Sequence, residues 1–142
     1  MNIMNRTENE ITIFTDGGSR GNPGDSAYGF VVYKDNSLIY SEGEYLGIQT
    51  NNYAEYMAVI SAFQWVRQEL GDNINIKLYS DSLLVMSQLT GKFKVKHPAI
   101  KPLVAKAKGL ESFFSKVEYE HVLREKNKEA DAMVNKALDA RL

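Results

Sequence analysis

The sequence predicts an α/β fold: a mixed five-stranded sheet with helices packed on it, in the order βββ-α-β-α-α-β-α. Three observations predict it. Before residue 50, three strand-like runs are separated only by short turns, the pattern of an antiparallel meander. From Asn52 the apolar residues switch to helical spacing. Two further short strand patterns then alternate with helical ones, which makes the sheet mixed and places helices against it.

Each element can be read in turn. Residues 10–16 form an apolar run that ends in a lone acid, Asp16. A segment rich in Gly, Ser, Arg, Asn and Pro follows, and Asn22-Pro23-Gly24 is a turn signal. Residues 27–34 ("AYGFVVYK") make the second strand. Asp35-Asn36-Ser37 is a short hairpin turn, and residues 38–47 ("LIYSEGEYLG") make the third strand. In the long helix, Tyr53, Met57, Ile60, Ala62, Phe63, Val66 and Leu70 recur at helical spacing, and Gly71 closes it. Trp65 falls in this pattern and reads as core. Residues 74–80 alternate as a strand. Asp81-Ser82 opens a short helix, "LLVMSQL". A basic loop covers residues 92–101. Residues 98–114 are helical again, with Leu103, Val104, Ala107, Leu110 and Phe114 on one side. Residues 117–123 form the fifth strand and residues 127–140 the last helix.

A chain of 142 residues is the usual size of one domain. The expectation is a single domain over residues 1–142, with residues 1–9 flexible. No repeat, linker or low-complexity tract interrupts it. Hydrophobic residues make up 44%, enough for a core, while a net charge of -1 gives no bulk pull toward nucleic acid. There is no cysteine, which excludes disulfides, thiolate metal sites and a cysteine nucleophile and agrees with a reducing compartment. The polar start "MNIMNRTENE" lacks the apolar core of a signal peptide, and no run is long enough to span a membrane. A soluble, cytoplasmic protein is expected.

Four acids stand out by placement. Each alone has an ordinary explanation. Asp16 precedes Gly17-Gly18 as a turn residue would. Glu55 sits near the start of a helix, where the dipole favours an acid. Asp81 precedes a helix as an N-cap would. Asp131 is one acid on a charged helix. Together they are harder to dismiss. Asp16 and Asp81 both end strands that can be neighbours, and ligand sites of α/β sheets form at such ends. Glu55 and Asp131 lie near the starts of helices that can roof the same edge. Four converging carboxylates repel unless a cation is bound. Oxygen ligands without Cys select Mg²⁺ or Mn²⁺ rather than Zn²⁺. Two such ions side by side are a known device for phosphodiester cleavage, one activating water and the other stabilising the leaving oxygen.

The chain resembles ribonuclease H, type 1, the endonuclease that cuts RNA in RNA–DNA hybrids. The resemblance runs from about Ile11 to Leu138. It rests on "TDGGSRGNPG", "TNNYAEYMAVISAF", "YSDSLLV" and "REKNKEADAMVNKAL", four motifs in order. It implies the ribonuclease H-like fold, whose element order matches the one above. It also implies four metal-binding catalytic carboxylates, Asp16, Glu55, Asp81 and Asp131, holding two Mg²⁺ ions that Mn²⁺ can replace. Cleavage would leave 5′-phosphate and 3′-hydroxyl ends. The implied substrate contacts are Gly17 and Asn22 in the glycine-rich segment, Thr50 at a DNA phosphate, and Asn51 and Asn52 in the minor groove. An amide can both donate to and accept from a 2′-hydroxyl. Gly21 and Gly24 would let backbone approach a sugar-phosphate. Arg124 and Asn127 complete the set at the last motif. A monomer is expected, as is common for family members of this size.

Two departures from the family pattern matter. Many members carry a histidine in a mobile loop before the last acid. Here that loop is short, and His121 falls inside the apparent strand "KVEYEHVL", where a structural role is expected. Some members also carry a long basic, Trp-rich handle. Here only "GKFKVKHPAIK" stands in its place, with Lys92, Lys94, Lys96 and Lys101 around Phe93 and His97. Lys94 and Lys96 are the candidate phosphate contacts, with a weaker, salt-sensitive grip. No separate hybrid-binding domain is expected. Two rival readings stand beside the leading one. One is a nuclease of the same fold acting on branched DNA or double-stranded RNA. The other is a module that binds hybrid without cutting it.

Overall fold

The computed structural model describes residues 10–141. The flexibility expected for residues 1–9 lies outside the described residues. Strands β1 (Glu10–Arg20), β2 (Gly24–Lys34), β3 (Ser37–Gln49), β4 (Asn75–Ser80) and β5 (Lys116–His121) form one sheet in the order β3-β2-β1-β4-β5. The β1–β2 and β2–β3 pairs are antiparallel, and β1–β4 and β4–β5 are parallel. The helices are α1 (Asn51–Leu70), α2 (Leu83–Leu89), α3 (Lys101–Glu111) and α4 (Lys128–Arg141), with a 3₁₀ turn at Arg124–Lys126 before the last. The mixed sheet and the element order are those the sequence predicts.

β1 is longer than its apolar run. It continues past Asp16 because β2 runs beside it, pairing Gly17 with Tyr28 and Arg20 with Asp25. The glycine-rich segment is therefore mostly strand, and only residues 21–23 turn. Gly21 has φ +99, and a Cβ on Gly24 would lie 2.3 Å from the Arg20 carbonyl oxygen. These two glycines thus serve the turn itself. The β2–β3 turn holds two residues, Asp35 and Asn36, with φ 52 and 64, while Ser37 already pairs with Lys34. Short polar side chains tolerate that left-handed backbone, which suits a tight hairpin.

The helix ends also shift. Thr50 caps α1, its hydroxyl accepting from Tyr53 N (3.2 Å), and Gly71 closes it at φ 96. Ser82 caps α2 by accepting from Val85 N (3.2 Å), so Asp81 is not the capping residue. α3 is shorter than predicted at both ends, and it starts with Pro102 in its first turn, where a missing N–H costs nothing. Phe114 stays buried just beyond it.

The core explains how the layers are held. Ile13, Phe30, Val32 and Leu78 of the sheet meet Tyr56, Ile60, Phe63 and Val66 of α1, with Val85, Leu89, Ala107 and Phe114 completing the cluster. Trp65 is at its margin, partly buried and stacked on Tyr40 with ring centroids 4.2 Å apart. A smaller cluster of Ala27, Val134 and Leu138 holds α4. Adjacent residues on β1 point to opposite layers: a Cβ on Gly17 would strike the backbone of α1, whereas one on Gly18 would meet Val134 of α4. α1 and α4 therefore pack on opposite faces of β1. No helix among the described residues is long and apolar enough to cross a membrane.

The contact at Gly17 sets the depth at which α1 sits on the sheet. A Cβ there would lie 2.3 Å from both Ala54 C and Glu55 N. Gly17→Ala is expected to lower stability by at least about 2 kcal/mol in urea denaturation, because backbone must move. Gly18→Ala, whose Cβ would meet Val134 Cγ1 at 3.5 Å, should be close to neutral. Equal midpoints for the two variants would contradict the close approach.

Candidate metal centre and nucleic-acid cleft

The parallel ladder between β1 and β4 ends at Thr15 and Ser80. The next residue on each strand is an acid, Asp16 and Asp81. Two side-chain bonds secure this edge: Thr15 Oγ1 donates to Tyr79 O (3.2 Å), and Ser82 N donates to Ser80 Oγ (3.0 Å). Asp16 is thus not at the end of its strand, but it stands just past the end of the neighbouring one. It is 6% exposed, and its Oδ1 accepts from Gly17 N (3.0 Å).

Glu55 comes from above. It lies in the second turn of α1, past the reach of the dipole at the first turn, so the helix itself does not account for it. The missing side chain of Gly17 brings its backbone down onto β1. Carboxylate oxygens of Asp16, Glu55 and Asp81 all lie within 4.8 Å of one another. Asp131 sits in the first turn of α4 and lines the same cleft, with Asn135 Nδ2 donating to its Oδ2 (3.2 Å). Its carboxyl acts on Asp16 both as a charge and as a hydrogen-bonding neighbour.

Such crowding shows in the acidities. Burial, then the charge of Asp81 and the neighbouring Asp131, push Asp16 from an ordinary 3.8 up to about 8. Burial and the charges of Asp16 and Asp81 hold Glu55 well above the usual carboxylate range. Asp81 is raised by burial, an effect opposed by Arg124 and His121 and reinforced by Asp131. Glu55 Oε1 is buried without a hydrogen-bond partner. A buried lone acceptor beside two other carboxylates is costly unless a cation meets it. The donor set holds only carboxylate oxygens, which fits Mg²⁺ or Mn²⁺ and not Zn²⁺.

The cleft around these acids encloses about 500 Å³ and extends along β1 and α4, past Asn51, Arg124 and Arg20. Asn51 lines the cleft, and Asn22 is tied to its backbone. Ser19 N donates to Asn51 Oδ1 (2.8 Å), and Asn51 N donates to Asn22 Oδ1 (3.0 Å). These bonds orient both side chains and use one of the two lone pairs on each oxygen, so each amide can still donate and accept.

Other expected contacts are scattered. Thr50 is exposed beside Asn51 but spends its oxygen on the helix cap. Asn52 is half-buried and does not line the cleft. Lys94 and Lys96 are exposed on the loop before α3, while Val95 between them packs toward the core; neither lysine lines the cleft. Gly17 lines it with backbone. His121 is not the structural histidine expected. It is the last residue of β5, pairs with Ser80, is exposed, and its charge reaches Asp81.

Asn127 departs most from expectation. It is fully buried, so it cannot be a substrate contact. Its Nδ2 donates to Thr15 O (2.8 Å), and its own carbonyl accepts from Asp131 N (3.1 Å). It ties the residue before Asp16 to the helical turn that carries Asp131. No spacing signal announces a bond across 112 residues.

The sheet order, with α1 and α4 on opposite faces and acids at one edge of β1 and β4, defines the ribonuclease H-like fold. The family model described as "Reverse transcriptase-like" matches residues 14–137. The crystal structure of RNase H1 from Halobacterium salinarum superposes with a TM-score of 0.87 at 37% identity, covering 92% of this chain and 98% of that one. LC11-RNase H1, solved in complex with an RNA/DNA hybrid, gives a TM-score of 0.88 at 35% identity, covering 92% and 98%. Bifunctional protein Rv2228c of Mycobacterium tuberculosis is 39% identical over 138 residues, covering 92% of this chain. The chain spans about a third (36%) of the length of that relative. The chain belongs to the ribonuclease H family, type 1.

Two predictions follow the geometry. Asp16 holds a proton more tightly folded than unfolded between 3.8 and about 8. The contribution of Asp16 to metal-free stability is therefore greatest at low pH and falls as pH rises through that window. In EDTA at pH 8, Asp16→Asn should be more stable than wild type by over about 1.4 kcal/mol, the worth of one pKa unit. The difference should shrink toward pH 4 and on adding Mg²⁺. A variant no more stable than wild type at pH 8 would contradict the repulsion. Asn127→Ala leaves the Thr15 carbonyl without its partner and should lose about 1–3 kcal/mol in urea. Its Mg²⁺ affinity, read by calorimetry on folded protein, should also fall; unchanged affinity would reduce Asn127 to a fold residue.

Proposed function

We propose that this chain is a divalent-metal-dependent endonuclease that cuts the RNA strand of RNA–DNA hybrids, leaving 5′-phosphate and 3′-hydroxyl ends. The observation that carries this is the cluster of Asp16, Glu55 and Asp81, whose carboxylate oxygens lie within 4.8 Å of one another, with Asp131 beside them. These four acids would hold two Mg²⁺ ions, with Mn²⁺ able to substitute. When bound, such a pair neutralises the phosphate being cut and makes an attacking water more acidic. The protein's part is to fix the four carboxylates on rigid elements, so that little reorganisation is needed when substrate enters.

Selectivity for the hybrid follows from the amides. Asn22 and Asn51 have their oxygens anchored by backbone N–H groups, which leaves their NH₂ groups as donors. Donors suit the oxygen of a 2′-hydroxyl, which RNA has and DNA lacks. Arg124 lines the cleft and offers a charge to a phosphate. Lys94 and Lys96 would meet the backbone of a longer duplex. The family match and the relative solved with a hybrid support the same reading. The described fold would act as one catalytic domain.

The test is cleavage of an end-labelled RNA–DNA hybrid beside RNA–RNA and DNA–DNA duplexes. Mg²⁺-dependent cuts confined to the RNA of the hybrid are expected. Asp81→Asn should abolish them while circular dichroism stays unchanged, because charge is removed and volume is not. Full activity in that variant would overturn the metal assignment. Cutting of branched DNA in preference to hybrid would overturn the substrate.

A further inference from the structure

We propose that Arg20 is a phosphate-binding residue for the strand being cut, held ready in the free protein by Asp139 acting as an internal stand-in for that phosphate. This inference rests on the hybrid-cleavage reading and deepens it.

Four observations carry it. First, Arg20 and Arg124 are the cations among the residues lining the cleft. The charge of Arg124 acts on Asp81 and so serves the carboxylate cluster. Arg20 pairs outside that cluster, with Asp139. Second, strand alternation puts Arg20 on the same face as Asp16 and Gly18. Gly18 faces Val134 of α4, and Arg20 reaches the C-terminal part of the same helix. Four residues of strand place it roughly 13 Å from Asp16 along β1. That is too far for the phosphate held by the acids, and suits a neighbouring phosphate of the same strand.

Third, the partner it has now is replaceable. Arg20 Nη2 pairs with Asp139 Oδ1 at 2.8 Å, and the two side chains are 45% and 66% exposed. An ion pair so open to water contributes little and exchanges readily. Asp139 itself does not line the cleft. It draws the guanidinium across from β1 to the wall formed by α4. Fourth, the backbone around Arg20 is stiff: it closes the β1–β2 ladder opposite Asp25, and the next residues turn back at once. Holding the fork in place before binding lowers the entropy lost when phosphate arrives. A guanidinium fork also matches two phosphate oxygens at once, as it matches a carboxylate.

A phosphate and Asp139 would then compete for one fork. Removing the competitor should tighten binding, and removing the fork should weaken it. The experiment uses the whole chain in EDTA, so that nothing is cut, with a fluorescent RNA–DNA hybrid followed by anisotropy over a series of salt concentrations. Arg20→Ala should weaken binding several-fold at low salt and reduce the slope of log affinity against log salt by about one. Asp139→Asn should tighten binding several-fold. In the Arg20→Ala background, Asp139→Asn should do nothing, since the competition acts only through the fork. Arg20→Lys should keep the salt slope and lose part of the affinity. A purely structural role for the pair would weaken binding in both single variants and leave the slope alone, and that result overturns the proposal. So does tightening by Asp139→Asn that persists without Arg20. Wild type failing to bind hybrid at any salt would instead overturn the functional reading and this inference with it.

Discussion

The crowding of Asp16, Glu55 and Asp81 is the constraint around which the rest is arranged. Three carboxylate groups with oxygens within 4.8 Å cannot all be charged without a cation between them. In a flexible chain they would move apart. Here each rides on an element that cannot retreat. Asp16 and Asp81 stand one residue beyond a parallel ladder whose last pair is Thr15 and Ser80. Glu55 is carried by a helix that sits directly on Gly17, with no room for a Cβ between them. The unfavourable crowding is thus held in place by packing, and the weakened acidity of Asp16 and Glu55 is its sign.

The fourth acid is placed by a different device. α4 lies on the opposite face from α1, so no helix contact can set Asp131 against Glu55. Close approach does part of the work: a Cβ on Gly43 would lie 2.4 Å from Met133 O, and one on Gly29 would lie 2.7 Å from Ala130 O. Asn127 does the rest, joining the Thr15 carbonyl to the turn that bears Asp131. The same cleft wall then carries Asn135 against Asp131 and Arg20 against Asp139. The carboxylates and the polar residues of the cleft share one rigid frame.

Much of this was legible in the sequence, and the reasons are physical. Period-two and helical spacing report burial, and burial decided most of the elements and the sheet's mixed character. Placement of acids after strands reported an edge site. What escaped depended on partners distant in sequence. β1 runs on through glycines because β2 hydrogen-bonds to it, although local propensity says loop. Ser82 takes the capping role that seemed open to Asp81, and so frees it for other work. His121 looked structural from its place in a strand pattern, but β5 ends there and leaves it exposed beside the site. Asn127 reads as a substrate contact at the start of a helix, and only the tertiary bond to Thr15 makes it internal.

The most direct measurement of the central claim is Mg²⁺ binding by calorimetry near pH 7, repeated in buffers of different ionisation heat to count protons. Carboxyls that burial and mutual repulsion keep protonated must lose protons to take up a cation. The account predicts Mg²⁺ uptake with net proton release, and loss of both in Asp16→Asn and Glu55→Gln. Uptake without proton release, or uptake that survives in both variants, would contradict it.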